Sequence, residues 1–187
     1  MLKLLKTLFN ILKTISTIGK VSMENKVVRV DVHVPIKFGP SISKDKTIKL
    51  KRPVLPGFKI SSPFGWRNNP NKPTEKQFHG GVDFACPVGT EVYAMADGVV
   101  DDAGWVYPEN HNKDFGLRIR QKIQIEGFTY YLWYGHLSEL QIKPLEQLKE
   151  GQLIALSGES GNSKGAHLHV QCRKKDSNEL YDMEFYD

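Results

Sequence analysis

Cysteine is scarce in this chain, two among 187 residues, which excludes a small scaffold stapled by disulfides. No uninterrupted apolar run approaches the ~20 residues that a helix needs to cross a bilayer, so no transmembrane helix is expected. No unit repeats and no long low-complexity tract appears, which excludes solenoid and array architectures. Hydrophobic residues still make up 40% of the chain and the net charge is only +5, so a wholly disordered polymer is excluded as well. What remains is one globular domain with an appendage, long enough to bury a core without disulfides or metals as staples.

Acidic residues are missing from one end. Residues 1–20 contain none, and residues 1–53 hold 12 Lys and Arg against 3 acids, whereas 54–187 hold 14 against 18. A nucleic-acid reader carries its positive stripe on the folded module, and here the larger segment is mildly acidic, so no nucleic-acid partner is expected. Within residues 1–20, Leu4, Leu5, Leu8, Ile11, Leu12, Ile15 and Ile18 recur at three- and four-residue steps, with Lys3, Lys6, Lys13 and Lys20 on the other side. That period predicts a cationic amphipathic helix stopping near Gly19. Lysines interrupt its apolar residues too often for the core of a cleavable signal peptide. Two readings of its apolar face stand side by side: it lies on an anionic membrane surface, or it packs on its own domain or another copy of the chain.

Residues 21–53 read as a basic strand and loop extension. Val28, Val30, Val32, Val34 and Ile36 alternate with Arg29, Asp31 and His33, a half-buried strand with His33 facing solvent. A loop from Gly39 to Lys46 and a short strand around Ile48 and Leu50 follow. From residue 54 to 187 no long amphipathic helix is evident, and Pro144–Lys149, the best helical candidate, is too short to matter. Short strands alternate with Gly and Pro turns instead. The clearest is 117–125, joined through Glu126-Gly127 to an aromatic-rich strand at 128–134 as a hairpin. Further strands are expected at 91–94, 98–101, 153–157 and 167–171, so the fold class is mainly β.

Four of the six histidines lie in three glycine-containing motifs: Phe78-His79-Gly80-Gly81-Val82-Asp83-Phe84, Tyr134-Gly135-His136-Leu137 and Gly165-Ala166-His167-Leu168-His169. Imidazole nitrogen and carboxylate oxygen are good zinc donors, and a catalytic site uses three protein ligands with one position left for water. On a strand, His167 and His169 point to one face about 6.5–7 Å apart, which suits one ligand and one acid–base group. His79 and Asp83 would be about 13 Å apart on a straight strand, so the chain must bend at Gly80-Gly81 to bring them to one metal. The two glycines argue against a helical i, i+4 pair, and no glutamate stands where that arrangement needs its base.

These motifs, together with Pro63-Phe64-Gly65-Trp66-Arg67, Pro87-Val88-Gly89-Thr90, Asp97-Gly98-Val99-Val100 and Gly161-Asn162-Ser163, resemble the lysostaphin and LytM type zinc metalloendopeptidases, which cut peptides of bacterial peptidoglycan. The resemblance runs from about Ser61 to Arg173 and implies a twisted antiparallel sheet with the metal in a groove. It implies Zn2+ held by His79, Asp83 and His169, and His136 and His167 as the pair that activates water and stabilises the transition-state oxygen. Arg67, Tyr134 and Asn162 are candidates for the groove wall. Ala166 replaces a frequent proline and Val170 a frequent aromatic, and neither change removes a functional group. The tyrosine that some glycyl-glycine cutting members use is not evident before His79, which favours stem-peptide cross-links over glycine bridges.

The resemblance also implies peptidoglycan as partner, at a cell envelope, outside the cell, or in a phage virion or lysin. The alternative is a non-catalytic module of the same fold that binds peptidoglycan or an amidase, though all five site positions are filled. A third reading makes the membrane-binding helix the point. His111 is expected in a solvated polar loop, and Trp66, Trp105 and Trp133 in core and hairpin packing. Cys86 and Cys172 either pair or remain free.

Overall fold

Alternation of apolar and polar side chains is clearest in the 117–134 hairpin of the computed structural model, which describes residues 42–70 and 72–187, with side chains from residue 47 onward. Thirteen strands and no helix occur among these residues. They are β1 (Ile42–Lys51), β2 (Ile60–Ser62), β3 (Gly65–Asn69), β4 (Lys72–His79), β5 (Val82–Phe84), β6 (Glu91–Tyr93), β7 (Gly98–Trp105), β8 (Leu117–Ile125), β9 (Phe128–Leu140), β10 (Gln147–Leu148), β11 (Leu153–Ser157), β12 (Leu168–Lys174) and β13 (Leu180–Tyr186). The expected amphipathic helix at 1–20 and strand at 27–36 lie outside the described residues. No helix among the described residues is long and apolar enough to cross a membrane.

The main sheet runs β1-β13-β12-β9-β8-β7-β10, with β11 beside β9, β6 beside β11, and β5 bridging β12 to β2. The pairings are antiparallel except for β1 with β13, which are parallel, so the expected antiparallel sheet carries one parallel edge. In β8, Leu117, Ile119 and Ile123 are buried while Arg118, Arg120 and Lys122 are half-exposed. Glu126 and Gly127 both take positive φ, 50° and 79°, and close a two-residue hairpin whose twist matches the flanking strands. Phe84, Met95, Leu132, Ile154, Leu168 and Val170 are fully enclosed and form the centre of the core.

Three departures from the sequence expectations have physical reasons. The segment 42–46, expected as loop, is already strand; β1 meets β13 at Ile42 and again from Thr47 onward, a partner that the sequence does not advertise. Residues 147–148, inside the short helical candidate, are extended and pair with Gly98 and Val99 of β7. A cross-strand ladder outweighs helical preference in so short a stretch. Tyr134 points into the core, fully buried, where its hydroxyl donates to Gln121 Oε1 at 2.6 Å and accepts from the Met95 N–H at 2.9 Å. It is therefore a core residue and not part of a groove wall.

Candidate metal centre

Three strands deliver three candidate ligand atoms to one point. His79 ends β4, Asp83 sits in β5, and His169 lies directly opposite Asp83 in the β5–β12 ladder. All three are buried, with 6–8% of their surface exposed. His79 Nε2 is 3.2 Å from Asp83 Oδ1, His169 Nδ1 is 2.7 Å from the same oxygen, and the two nitrogens are 3.2 Å apart. The bend between His79 and Asp83 falls at Gly80-Gly81 as expected, but the reason for glycine at 81 is different. Neither residue takes positive φ. A Cβ on Gly81 would collide with the Val170 carbonyl oxygen and stand 2.7 Å from the His169 ring, so glycine is needed for close approach.

A hydrogen bond settles which nitrogen of His79 carries the proton. His79 Nδ1 lies 2.9 Å from the Pro63 carbonyl and so donates to it, which leaves an Nε2 lone pair facing the centre. Asp83 Oδ2 accepts from Arg67 Nη1 at 3.3 Å. Burial opposes charge on Asp83, but hydrogen bonds and charges from His169 and His79 outweigh it and hold the carboxyl well below its usual range. Burial is also the main cause that pushes His169 below the ordinary histidine value.

The residues fit a divalent metal. A lone pair on His79 and an anionic Asp83 oxygen face each other across 3.2 Å, an arrangement that is repulsive unless a proton or a cation stands between them. Ligands of a tetrahedral zinc, at bonds of about 2.0–2.1 Å, are about 3.3 Å apart, close to the two spacings of 3.2 Å and longer than the 2.7 Å between His169 and Asp83. Two imidazoles and one carboxylate are a donor set used by catalytic zinc sites.

Two further histidines border this centre. His136, in β9, has φ 61°, and its Nδ1 donates to the Ser160 carbonyl at 2.7 Å. His167 precedes β12; its Nδ1 lies 2.8 Å from the Gly165 carbonyl and 3.2 Å from Ser163 Oγ, and its Nε2 is 3.8 Å from Asp83 Oδ1. The two rings are 4.5 Å apart and line the same groove. Burial, then the neighbouring His167, pushes His136 down to about 4, so it is neutral at physiological pH.

The five residues line a groove of about 610 Å³. Arg67 and Gln77 on the β3–β4 hairpin, residues 162–166, Asp114 and Phe115 line it as well. Arg67 and Asn162 thus border the groove, with Arg67 also turned onto Asp83 and Ser62. Sequence reasoning missed Ser62, Pro63, Phe115, Ser160 and Gln171, several of which act through main-chain carbonyls that residue identity does not reveal. Trp66 is 69% exposed, against the packing expected for it, because it sits on an outer hairpin with only Phe78 edge-on beside it. Trp133 stacks on Phe115 and Trp105 packs on the core, as expected. His111 is exposed but stacks on Trp105 at 3.5 Å. Cys86 and Cys172 are both free and buried.

Residues 77–180 match the sequence profile of peptidase family M23. The chain is 40% identical over 93 residues to the glycyl-glycine endopeptidase ALE-1 of Staphylococcus capitis, covering 50% of this chain and 24% of that protein. It is 38% identical over 121 residues to the peptidoglycan DD-endopeptidase ShyA of Vibrio cholerae, covering 64% and 26%. The chain therefore spans about a quarter of the length of these curated relatives. Among solved structures, the catalytic domain of lysostaphin from Staphylococcus simulans superposes with a TM-score of 0.56 at 31% identity, over 67% of this chain and 88% of that one. A zinc-containing peptidase from Vibrio cholerae gives 0.55 at 29% identity, over 70% and 37%.

Proposed function

The chain belongs to peptidase family M23, and from that membership we propose that it is a zinc-dependent endopeptidase that hydrolyses peptide bonds of bacterial peptidoglycan. The observation that carries the reading is the convergence of His79 Nε2, Asp83 Oδ1 and His169 Nδ1 within 4.8 Å, beside the rings of two further histidines. His79, Asp83 and His169 would hold the metal. When bound, zinc polarises the scissile carbonyl and lowers the pKa of a water to about 7. The zinc-containing relative from Vibrio cholerae supports that choice of ion.

His136 and His167 handle the proton. Each commits its Nδ1–H to a main-chain carbonyl, so each presents Nε2 as an acceptor for the proton of the attacking water. The imidazolium so formed becomes a donor to the oxygen that gains charge in the tetrahedral transition state, then passes the proton to the leaving amine. Its depressed basicity keeps His136 neutral before the reaction and makes its protonated form a ready donor afterwards. Arg67 holds Asp83 in its ligating orientation, and Asn162 borders the path of an extended peptide.

Stem-peptide cross-links are the favoured bond, because no tyrosine lines the groove among the described residues. The filled set of five site positions supports an enzyme over a non-catalytic regulatory module of the same fold. The test is digestion of two purified walls, one cross-linked directly between stem peptides and one through glycine bridges, with fragments identified by mass. Cleavage of the directly cross-linked wall alone supports the assignment; cleavage of glycine bridges alone overturns the bond, and cleavage of neither overturns the function.

A further inference from the structure

We infer that Ser160 is a positioning residue for His136, holding its ring and its main chain at once. His136 has φ 61°, in the left-handed region that residues bearing a Cβ avoid. Such a conformation persists only where its surroundings over-determine it. Its main-chain N–H donates to the Phe115 carbonyl at 2.8 Å, and its ring Nδ1–H donates to the Ser160 carbonyl at 2.7 Å. The hydroxyl of the same Ser160 donates to the carbonyl of Leu137, the next residue along, at 2.7 Å. That hydroxyl also accepts from the Leu117 N–H at 3.0 Å. One residue thus holds the His136 ring and the carbonyl of the residue after it, and ties both to the first residue of β8.

The segment that carries Ser160 has little room to drift. Gly161 crosses Gly116 so closely that a Cβ on either would run into the main-chain nitrogen of the other. The Gly161 N–H donates to the His111 carbonyl at 2.7 Å, and the Asn162 N–H to the Asp114 carbonyl at 2.8 Å. Serine suits position 160 because a hydroxyl donates and accepts at the same time. Alanine does neither, and would leave the Leu137 carbonyl and the Leu117 N–H without this partner. Without the hydroxyl the fixed segment no longer holds β9 at Leu137, the contact between the Ser160 carbonyl and Nδ1 weakens, and the His136 ring is free to carry its proton on Nε2, where it cannot serve as an acceptor.

The effect is confined to one histidine. His167 is held separately by Gly165 and Ser163, and the ligand His79 by the Pro63 carbonyl. Loss of the Ser160 hydroxyl should therefore lower kcat while leaving KM and bound metal unchanged, the split that a general loss of structure does not give.

The inference rests on the endopeptidase reading for its kinetic arm only. The test compares the zinc-loaded full chain with Ser160→Ala and Ser160→Thr. Imidazole nitrogen NMR at pH 7.5 should show His136 protonated on Nδ1 in the wild type and in Ser160→Thr, and a mixture of tautomers in Ser160→Ala. On peptidoglycan fragments, kcat should fall about 10- to 100-fold in Ser160→Ala and recover to within about threefold in Ser160→Thr, at constant KM and zinc content. Should Ser160→Ala not fold, Ser160→Cys, a weaker donor and acceptor, replaces it with the same expected direction. An unchanged Nδ1–H pattern in the folded variant overturns the inference, as does a kcat within about twofold of wild type. If the wild type cleaves no peptidoglycan, the endopeptidase reading falls, and the imidazole spectrum alone still decides the role of Ser160.

Discussion

Replacing Gly81 by alanine adds one methyl group and should cost the protein both stability and its metal. Gly81 does not take positive φ, so alanine meets no backbone penalty there, and by restricting the unfolded chain it would ordinarily stabilise by about 0.4–1 kcal/mol. The steric effect is opposite and larger. The new Cβ collides with the Val170 carbonyl oxygen and lies 2.7 Å from the His169 ring, both on β12. To restore ordinary contact β5 and β12 must part by about 1 Å, a form of overpacking that costs about 1–3 kcal/mol. Asp83 and His169 face each other across those two strands, so their 2.7 Å contact opens beyond the spacing of two ligands on one zinc. The expected result is a fall of about 2–4 °C in the unfolding midpoint of the metal-free protein, for a net loss of about 1 kcal/mol. Zinc affinity should fall at least about tenfold, since each 1.4 kcal/mol of misfit is one decade. Calorimetric unfolding and competition with a chromophoric chelator read the two effects. Gly80→Ala is the control, because its Cβ would meet chiefly the flexible end of Leu180 at 3.0 Å. A Gly81→Ala protein that keeps both its midpoint and its zinc affinity would refute the close-approach argument.

Other consequences are as direct. Tyr134→Phe removes a hydroxyl that serves Gln121 and the Met95 N–H in the core, so stability should drop by about 2 kcal/mol in urea titration while kcat stays within about twofold. Arg67→Met leaves Asp83 Oδ2 without its guanidinium and should weaken zinc binding about tenfold, measured by the same chelator competition. In the metal-free protein His136 is pushed down to about 4, below its unfolded value near 6.5, so protonation favours the unfolded chain. The stability held above pH 6.5 should then be lost as pH falls toward 4, by up to about 3 kcal/mol from this group, and His136→Gln should flatten that part of the profile.

The sheet was legible where side chains alternate and illegible where pairing alone decides. Strand 153–157 and the hairpin built on 117–125 and 128–134 follow from period and turn chemistry, and the structure extends the second strand to Leu140. β3 and β4 escaped notice because Gly65–Asn69 and Lys72–Lys76 are polar and lack an apolar period, and β5 because three residues are too few to show one. The metal-centre residues were readable from histidine and aspartate spacing together with a family resemblance. The hydrogen bonds that orient them were not: Pro63, Ser160 and Gly165 contribute main-chain carbonyls, which any residue could supply. Tyr134 illustrates the reverse failure, since its place beside Gly135-His136 suggests the groove while strand alternation turns it inward.

The account stands most directly on release of new amino termini from purified peptidoglycan by the full chain. The reaction should proceed with zinc, stop on chelation, resume when zinc is restored, and be absent in a folded His169→Ala protein. A wild-type protein that binds zinc stoichiometrically and releases no amino termini, or one that cleaves equally well after complete removal of metal, would contradict it.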